Sequence, residues 1–246
     1  MTRLDQRLVE MGLAPSRARA QSMIDAGVVE VGGKTARKPS SRPPPDVAIR
    51  FTANPNPWVS RAALKLVHAL EVFDLRPQGT ALDVGASTGG FTQVLLARGA
   101  DQVHALDVGH GQLHPYLAAD PRVISHEGVN ARAIPDGLIP PVDWVTSDVS
   151  FISLTKALPG ALALAKPSAQ LVALIKPQFE VGPGVGDKGI VRDPARHAEV
   201  RLSISAFLQE LGWHVTGEAE SPITGADGNK EFLIAAINSP GSNRAD

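Results

Sequence analysis

The chain of 246 residues contains no cysteine. Disulfide bonds and thiolate metal sites are therefore excluded, and no metal site is predicted. Long apolar runs are also missing, because the longest candidate, residues 157–165, is too short to span a bilayer and contains Pro159-Gly160. The first residues lack the apolar core of a signal peptide. We therefore expect a cytoplasmic protein without a membrane segment.

Charge is distributed unevenly along the chain. Residues 1–50 carry a net charge of +4 and the remainder −5. A basic module joined to an acidic one suits a polyanionic partner such as RNA, although so small a difference also arises by chance. The length accommodates one full α/β domain and a small one. We predict a small RNA-binding domain over 1–53, a linker over 54–60 and a Rossmann-like domain over 61–246.

The first domain has the pattern of two short helices followed by a hairpin. Residues 3–13 and a segment opened by Pro15-Ser16 have helical apolar spacing. Residues 28–31 alternate as a strand into the turn Gly32-Gly33, and residues 47–51 would close the sheet. Arginine and lysine on such a surface can bond RNA phosphates. The candidates for RNA contacts are Arg3, Arg7, Arg17, Arg19, Lys34, Arg37, Lys38 and Arg61.

This order resembles the small RNA-binding domain first seen in the fourth protein of the small ribosomal subunit. The resemblance lies in Arg3-Leu4-Asp5, Gly12-Leu13-Ala14 and Val29-x-Val31-x-Gly33. It implies that a basic face of the domain fits folded RNA. A small α+β cap with a solvated basic face is the alternative.

From residue 79 onward the pattern alternates between strands and helices. It predicts a mostly parallel sheet covered on both faces, with an antiparallel hairpin formed by the last two strands. Before it, a helix is predicted from an N-cap at Ser60 to Leu70. The predicted strands lie near residues 80–85, 102–107, 121–126, 142–148, 170–176, 213–219 and 231–238, and the predicted helices near 90–98, 153–165 and 194–211.

A loop of small residues within the segment 81–91 connects an apolar strand to a helix. Small residues let the backbone approach a ligand, and the free amides at a helix start favour polar groups. About one strand later comes Asp107, where a Rossmann-like sheet places an acid on a ribose diol. The glycines do not follow the dinucleotide-binding register. The pattern Asp-x-Gly-x-x-x-Gly-Gly over residues 83–90 instead favours S-adenosylmethionine (SAM) as the ligand, and an ordinary glycine-rich turn is the alternative.

Four charged residues stand where the predicted topology would bring them together. Asp148 and Lys176 stand at the carboxyl ends of predicted strands, and Glu231 stands near the start of the last one. Ligands of open α/β sheets bind at the carboxyl ends of the strands, and Lys65 could reach this edge from the preceding helix. Two lysines and two carboxylates suit deprotonation of a ribose hydroxyl, with Lys176 as proton acceptor. Taken singly, each residue is also explained as a helix cap or a solvated side chain.

Lys65, Asp148, Lys176 and Glu231 match the Lys-Asp-Lys-Glu tetrad of FtsJ-like ribose 2′-O-methyltransferases. The phrases at 148–154 and 176–180 closely resemble the TlyA family, and the resemblance covers residues 2–237. It implies SAM-dependent 2′-O-methylation of cytidine in ribosomal RNA, with ribosomal subunits as partners. The residues that it implies for SAM binding are Asp83, Gly85, Ser87, Gly89, Gly90, Phe91, Asp107, Val108, Asn130 and Asp148.

Two other functions stay open at this point. One is a non-catalytic RNA-binding or ribosome-assembly factor that has kept the fold, which would bind SAM without transferring its methyl group. The other is a membrane-active hemolysin, since that name is attached to some members of the family. The sequence does not decide the oligomeric state.

Overall fold

The computed structural model describes residues 2–11, 13–14, 17–25, 27–52, 58–182, 189–225 and 228–239. The chain divides into two compact units, Met1–Pro57 and Trp58–Asp246. The predicted linker crosses this division, and its residues 54–57 lie outside the described residues. Within the described part, no helix combines the length and the apolar character that a membrane crossing requires.

The first unit contains two helices and a three-stranded antiparallel sheet, as the sequence pattern predicts. The strand at residues 29–31 lies between the strands at residues 34–35 and 49–51. The helices and strands pack around buried apolar side chains, including those of Leu4, Leu8 and Ile24. The elements are α1 (Leu4–Glu10), α2 (Arg17–Asp25), β1 (Val29–Val31), β2 (Lys34–Thr35) and β3 (Ile49–Phe51).

The second unit is built on a seven-stranded sheet in the order β6-β5-β4-β7-β8-β10-β9. Strands β4 to β8 pair in parallel, and β10 is antiparallel to both of its neighbours, β8 and β9. The predicted fold class is therefore confirmed. The strands are β4 (Thr80–Val84), β5 (Gln102–Asp107), β6 (Val123–Glu127), β7 (Val142–Ser147), β8 (Ala165–Ile175), β9 (Trp213–Glu220) and β10 (Phe232–Asn238).

Helices cover both faces of this sheet. One apolar cluster includes residues of α3 and α4, such as Leu66 and Leu95, and another includes residues of α6 and α8, such as Leu158 and Ile204. The strands between them are buried on both sides, as expected for a parallel sheet. The helices are α3 (Ala63–Val72), α4 (Gly90–Ala97), α5 (Pro115–Ala118), α6 (Leu154–Leu162), α7 (Pro177–Glu180) and α8 (Pro194–Glu210), with a 3₁₀ turn at Ala131–Ala133.

Two local predictions are wrong. Ser60 is not the N-cap of α3, because the chain turns once more and Ala62 occupies the cap position. Strand β8 begins at Ala165 rather than near residue 170. The sequence Lys-Pro-Ser at 166–168 is typical of a turn. Here it lies within an irregularity of the pairing with β7, between Ala165 and Gln170, and Ser168 adopts φ 64°.

Candidate active site

The four charged residues predicted to act together meet at one edge of the sheet. Asp148 directly follows β7, and Lys176 directly follows β8. Glu231 precedes β10, whose first residue, Phe232, pairs with the last residue of β8. Because β10 is antiparallel to β8, its first residues lie beside the carboxyl ends of the parallel strands. Lys65 reaches this edge from the first turn of α3.

The four side chains form a continuous chain of ion pairs. Lys65 Nζ lies 2.7 Å from Glu231 Oε2 and 3.7 Å from Asp148 Oδ2. Lys176 Nζ lies 2.6 Å from Asp148 Oδ1. Asp148 therefore stands between the two lysines, and Glu231 pairs with Lys65, which is the lysine farther from Asp148.

Burial distinguishes this tetrad from a solvated charged surface. The exposed fraction of its side chains ranges from 3% for Glu231 to 12% for Asp148. Lys65 in particular does not belong to a solvated stripe of α3, because only 7% of the residue is exposed. Two ammonium groups and two carboxylates balance in charge. Desolvated ions remain stable only when they are paired in this way.

The glycine-rich loop lies beside the tetrad. Gly89 has φ 92°, and a Cβ there would overlap the side chains of Leu113 and Leu117, so the loop requires glycine at this position. A cavity of about 220 Å³ separates the loop from the charged residues. We call it the loop cavity; its lining includes Gly85, Ser87, Gly90, Phe91, Asp148 and Lys176.

Asp107 lies at the end of β5 and supports the same loop. Its Oδ2 accepts a hydrogen bond from the Ser87 N–H at 2.8 Å, and its Oδ1 accepts one from the Gly109 N–H at 2.8 Å. Each carboxylate oxygen keeps a second acceptor position, which is what a ribose diol requires. Val108 is 64% exposed, and the Asn130 side chain caps the 3₁₀ turn. Asp107, Val108 and Asn130 lie outside the lining of the loop cavity.

The structure does not place Asp83 in the loop cavity. Its side chain is completely buried, and its carboxylate accepts hydrogen bonds from Thr92 Oγ1 at 2.7 Å and Thr146 Oγ1 at 3.1 Å. Asp83 therefore ties β4 to α4 and β7 beneath the loop. Burial raises the pKa of Asp83 to about 6, although the hydrogen bonds from Thr92 and Thr146 oppose the shift.

This raised pKa predicts a pH dependence of stability. Between pH 4 and pH 6 the unfolded chain has released the Asp83 proton, whereas the folded chain still holds it. Asp83 therefore contributes fully to the free energy of unfolding below pH 4, and this contribution is lost as the pH rises through 6. Relative to Asp83→Asn, the wild type should lose about 3 kcal/mol over this range. All three tryptophans lie in the second unit, so their fluorescence during urea unfolding measures this unit alone. Parallel pH profiles for the two proteins would contradict the assignment.

A second, larger cavity also borders Lys176. It measures about 760 Å³, and we call it the outer cavity. It shares Ala62, Ser150 and Lys176 with the loop cavity, so Lys176 can be reached from both. Its lining also includes Arg61, Lys65, Phe151, Gln178, Phe179 and Glu231.

The sequence pattern assigned no role to the polar and aromatic residues Ser150, Phe151 and Phe179, which line the outer cavity. Ser150 accepts a hydrogen bond from Lys176 Nζ at 2.9 Å. Phe151 is 91% exposed and lies 5.1 Å from the ring of Phe179, measured between ring centres. Their proximity to Asp148 and Lys176 in the sequence is a signal that could have found them. Among the described residues, no group of three or more histidine, aspartate or glutamate side chains could hold a metal ion.

The predicted RNA-binding residues of the first unit differ in their environments. Arg3 pairs with the buried carboxylate of Asp5 at 2.9 Å, and its hydrogen bonds hold the pKa of Asp5 well below the usual range. Arg17 approaches the same carboxylate at 3.4 Å, and Arg7 donates hydrogen bonds to the carbonyls of Pro44 and Pro45. These three arginines thus also stabilise the unit. Lys34, Arg37 and Lys38 are exposed, and the side chain of Arg19 lies outside the described residues.

Comparison with known families divides the chain in the same two parts. Residues 58–237 match the model of the FtsJ-like methyltransferases, and residues 2–49 match that of the S4 domain. Both matches agree with the folds described above.

Relatives extend over nearly the whole chain. The chain is 47% identical to the 16S/23S rRNA (cytidine-2′-O)-methyltransferase TlyA of Mycobacterium tuberculosis, covering 94% of this chain and 88% of that protein. It is 39% identical to Hemolysin A of Brachyspira hyodysenteriae, covering 96% and 99%. A solved structure of a candidate hemolysin from Streptococcus thermophilus is 36% identical, has a TM-score of 0.76 and covers 99% of this chain and 90% of that one.

Proposed function

Because this chain belongs to the TlyA family of FtsJ-like methyltransferases, we propose that it methylates the 2′-hydroxyl of a cytidine in ribosomal RNA with SAM as methyl donor. The single observation that supports this most strongly is the buried tetrad between the two cavities. A donor in the loop cavity and an acceptor in the outer cavity would meet at Lys176, the member of the tetrad that lines both.

The residues around the loop cavity fit SAM. Gly85, Ser87 and Gly90 line this cavity, and because glycine has no side chain a ligand can approach the backbone there. Asp107 retains acceptor positions for a ribose diol. Asp148 and Lys176 also line the cavity, which suits the charged end of the ligand. SAM supplies a methyl group activated by a positively charged sulfur.

In the proposed reaction, Lys176 accepts the proton of the 2′-hydroxyl. The O2′–H bond breaks as an N–H bond forms at Lys176 Nζ, so that O2′ can take the methyl group that bound SAM would supply. Asp148, at 2.6 Å, then stabilises the new ammonium group. Lys65, 3.7 Å from Asp148, pairs with the same carboxylate and so helps to hold it in place beside Lys176. Glu231 holds Lys65 in place at 2.7 Å.

The outer cavity suits the nucleotide that carries this hydroxyl. Phe151 and Phe179 offer aromatic surface at its wall, and Arg61 offers a positive charge for a phosphate. The first unit would bind folded RNA through Lys34, Arg37 and Lys38. Such contacts hold the RNA without reading its sequence.

The test uses tritium-labelled SAM and ribosomal subunits from a strain in which the gene for this chain is deleted. We expect label to enter one RNA at a defined cytidine, which primer extension at low nucleotide concentration locates. Subunits from the parent strain serve as the control, because their site is already methylated and should take up little label. SAM binding without labelling of any RNA would instead support a non-catalytic RNA-binding factor.

A further inference from the structure

Ser150 is a polar residue of the site for which the proposed mechanism has no role. Its Oγ accepts a hydrogen bond from Lys176 Nζ at 2.9 Å. The residue is exposed and lines both the loop cavity and the outer cavity. It therefore stands where the two reactants would meet.

The contacts of Lys176 define the directions around its nitrogen. Asp148 Oδ1 lies at 2.6 Å and Ser150 Oγ at 2.9 Å, whereas the backbone carbonyl of Asp148, at 3.5 Å, is at the limit of a hydrogen bond. A neutral amine has two N–H bonds and one unshared electron pair. Two close acceptors can take both N–H bonds. The electron pair then occupies the remaining direction.

The loop that carries Ser150 is held in a demanding conformation. Phe151 adopts φ 65°, a left-handed value that is costly for a residue with a large side chain. Such strain persists only where the surrounding structure enforces it, and it occurs often at functional sites. The Phe151 ring packs against Phe179, which belongs to the short helix that follows Lys176.

A second contact ties this loop to the segment that bears Lys176. Glu180, at the end of α7, accepts hydrogen bonds from Ser153 Oγ at 2.5 Å and from the Leu154 N–H at 2.9 Å. The segments after β7 and β8 are thus joined before Ser150 by the Asp148–Lys176 pair and after it by the contacts of Phe179 and Glu180. Its hydroxyl is consequently fixed relative to Lys176.

We propose that Ser150 is a positioning residue for the methyl transfer. Its hydroxyl and the Asp148 carboxylate take the two N–H bonds of neutral Lys176, so that the electron pair of the amine points at the 2′-hydroxyl. After proton transfer, the ammonium group keeps both hydrogen bonds. This inference rests on the proposed function, because it requires Lys176 to be the proton acceptor.

The test compares Ser150→Thr with Ser150→Val, which have nearly the same shape but differ in the hydroxyl group. We expect the threonine variant to stay close to the wild type. The valine variant should lose about 10- to 100-fold in kcat, with the KM for ribosomal subunits and the Kd of SAM unchanged. A loss confined to kcat and rescued by threonine is not expected from a purely structural role.

Three results would overturn the inference. These are a wild-type kcat in both variants, the same reduction of kcat in both variants, or a change in KM with kcat unaffected. Tryptophan-monitored melting of both variants checks that they fold alike. If the wild-type protein itself transfers no methyl group, the proposed function fails instead, so the two failures can be told apart.

Discussion

Replacing Lys176 by alanine should lower kcat for methyl transfer about 10³-fold, because the 2′-hydroxyl then lacks its proton acceptor. SAM should still bind, since the glycine-rich loop and Asp107 do not depend on Lys176 for their hydrogen bonds. Single-turnover transfer to ribosomal subunits measures the first effect, and calorimetric titration with SAM the second.

Two further variants sharpen this result. Lys176→Arg keeps the positive charge but cannot supply a neutral base, so it should be as inactive as the alanine variant. Lys166→Ala is the matched control, because Lys166 lies at the other end of the same strand and pairs with Asp143. It should keep full activity. An active arginine variant would mean that the charge of Lys176, rather than its basicity, is what the reaction needs.

Breaking the Lys65–Glu231 pair should destabilise the protein as well as inactivate it. In Glu231→Leu the Lys65 ammonium stays buried without its 2.7 Å partner. Removing one member of a buried pair typically costs about 3 kcal/mol or more in the free energy of unfolding. Urea unfolding followed by tryptophan fluorescence should detect this loss.

The double variant Lys65→Met/Glu231→Leu separates stability from catalysis. Replacing both charges by apolar groups of similar volume should restore most of the stability, because no unpaired ion remains. Methyl transfer should stay low, since the charges near Asp148 are altered. If the double variant transferred methyl groups at the wild-type rate, the pair would serve stability alone. If the single variant were as stable as the wild type, the pair would not be effectively buried.

The convergence of the tetrad could be predicted because it follows from topology. Asp148 and Lys176 each end a parallel strand, and such strands end at the same edge of a sheet. Glu231 joins them only because β10 runs antiparallel beside β8, which the hairpin pattern indicated. Lys65 was harder to assign, because a lysine on an amphipathic helix usually points to water.

Other features depend on tertiary contacts that no local pattern contains. The Asp-x-Gly pattern does not reveal that Asp83 is enclosed by Thr92 and Thr146 rather than open to the loop cavity. The basic composition of the first unit likewise does not reveal that Arg3 and Arg17 gather around Asp5. Side-chain directions of this kind are decided by packing between distant segments.

The most direct test of the account is the chemical position of the transferred methyl group. RNA labelled by this protein is hydrolysed with alkali, which cleaves only where the 2′-oxygen is free to attack the neighbouring phosphate. The account predicts that the label remains in a dinucleotide whose first nucleoside is 2′-O-methylcytidine. Label released as a mononucleotide, with the methyl group on a base, would contradict the role given to Lys65, Asp148, Lys176 and Glu231.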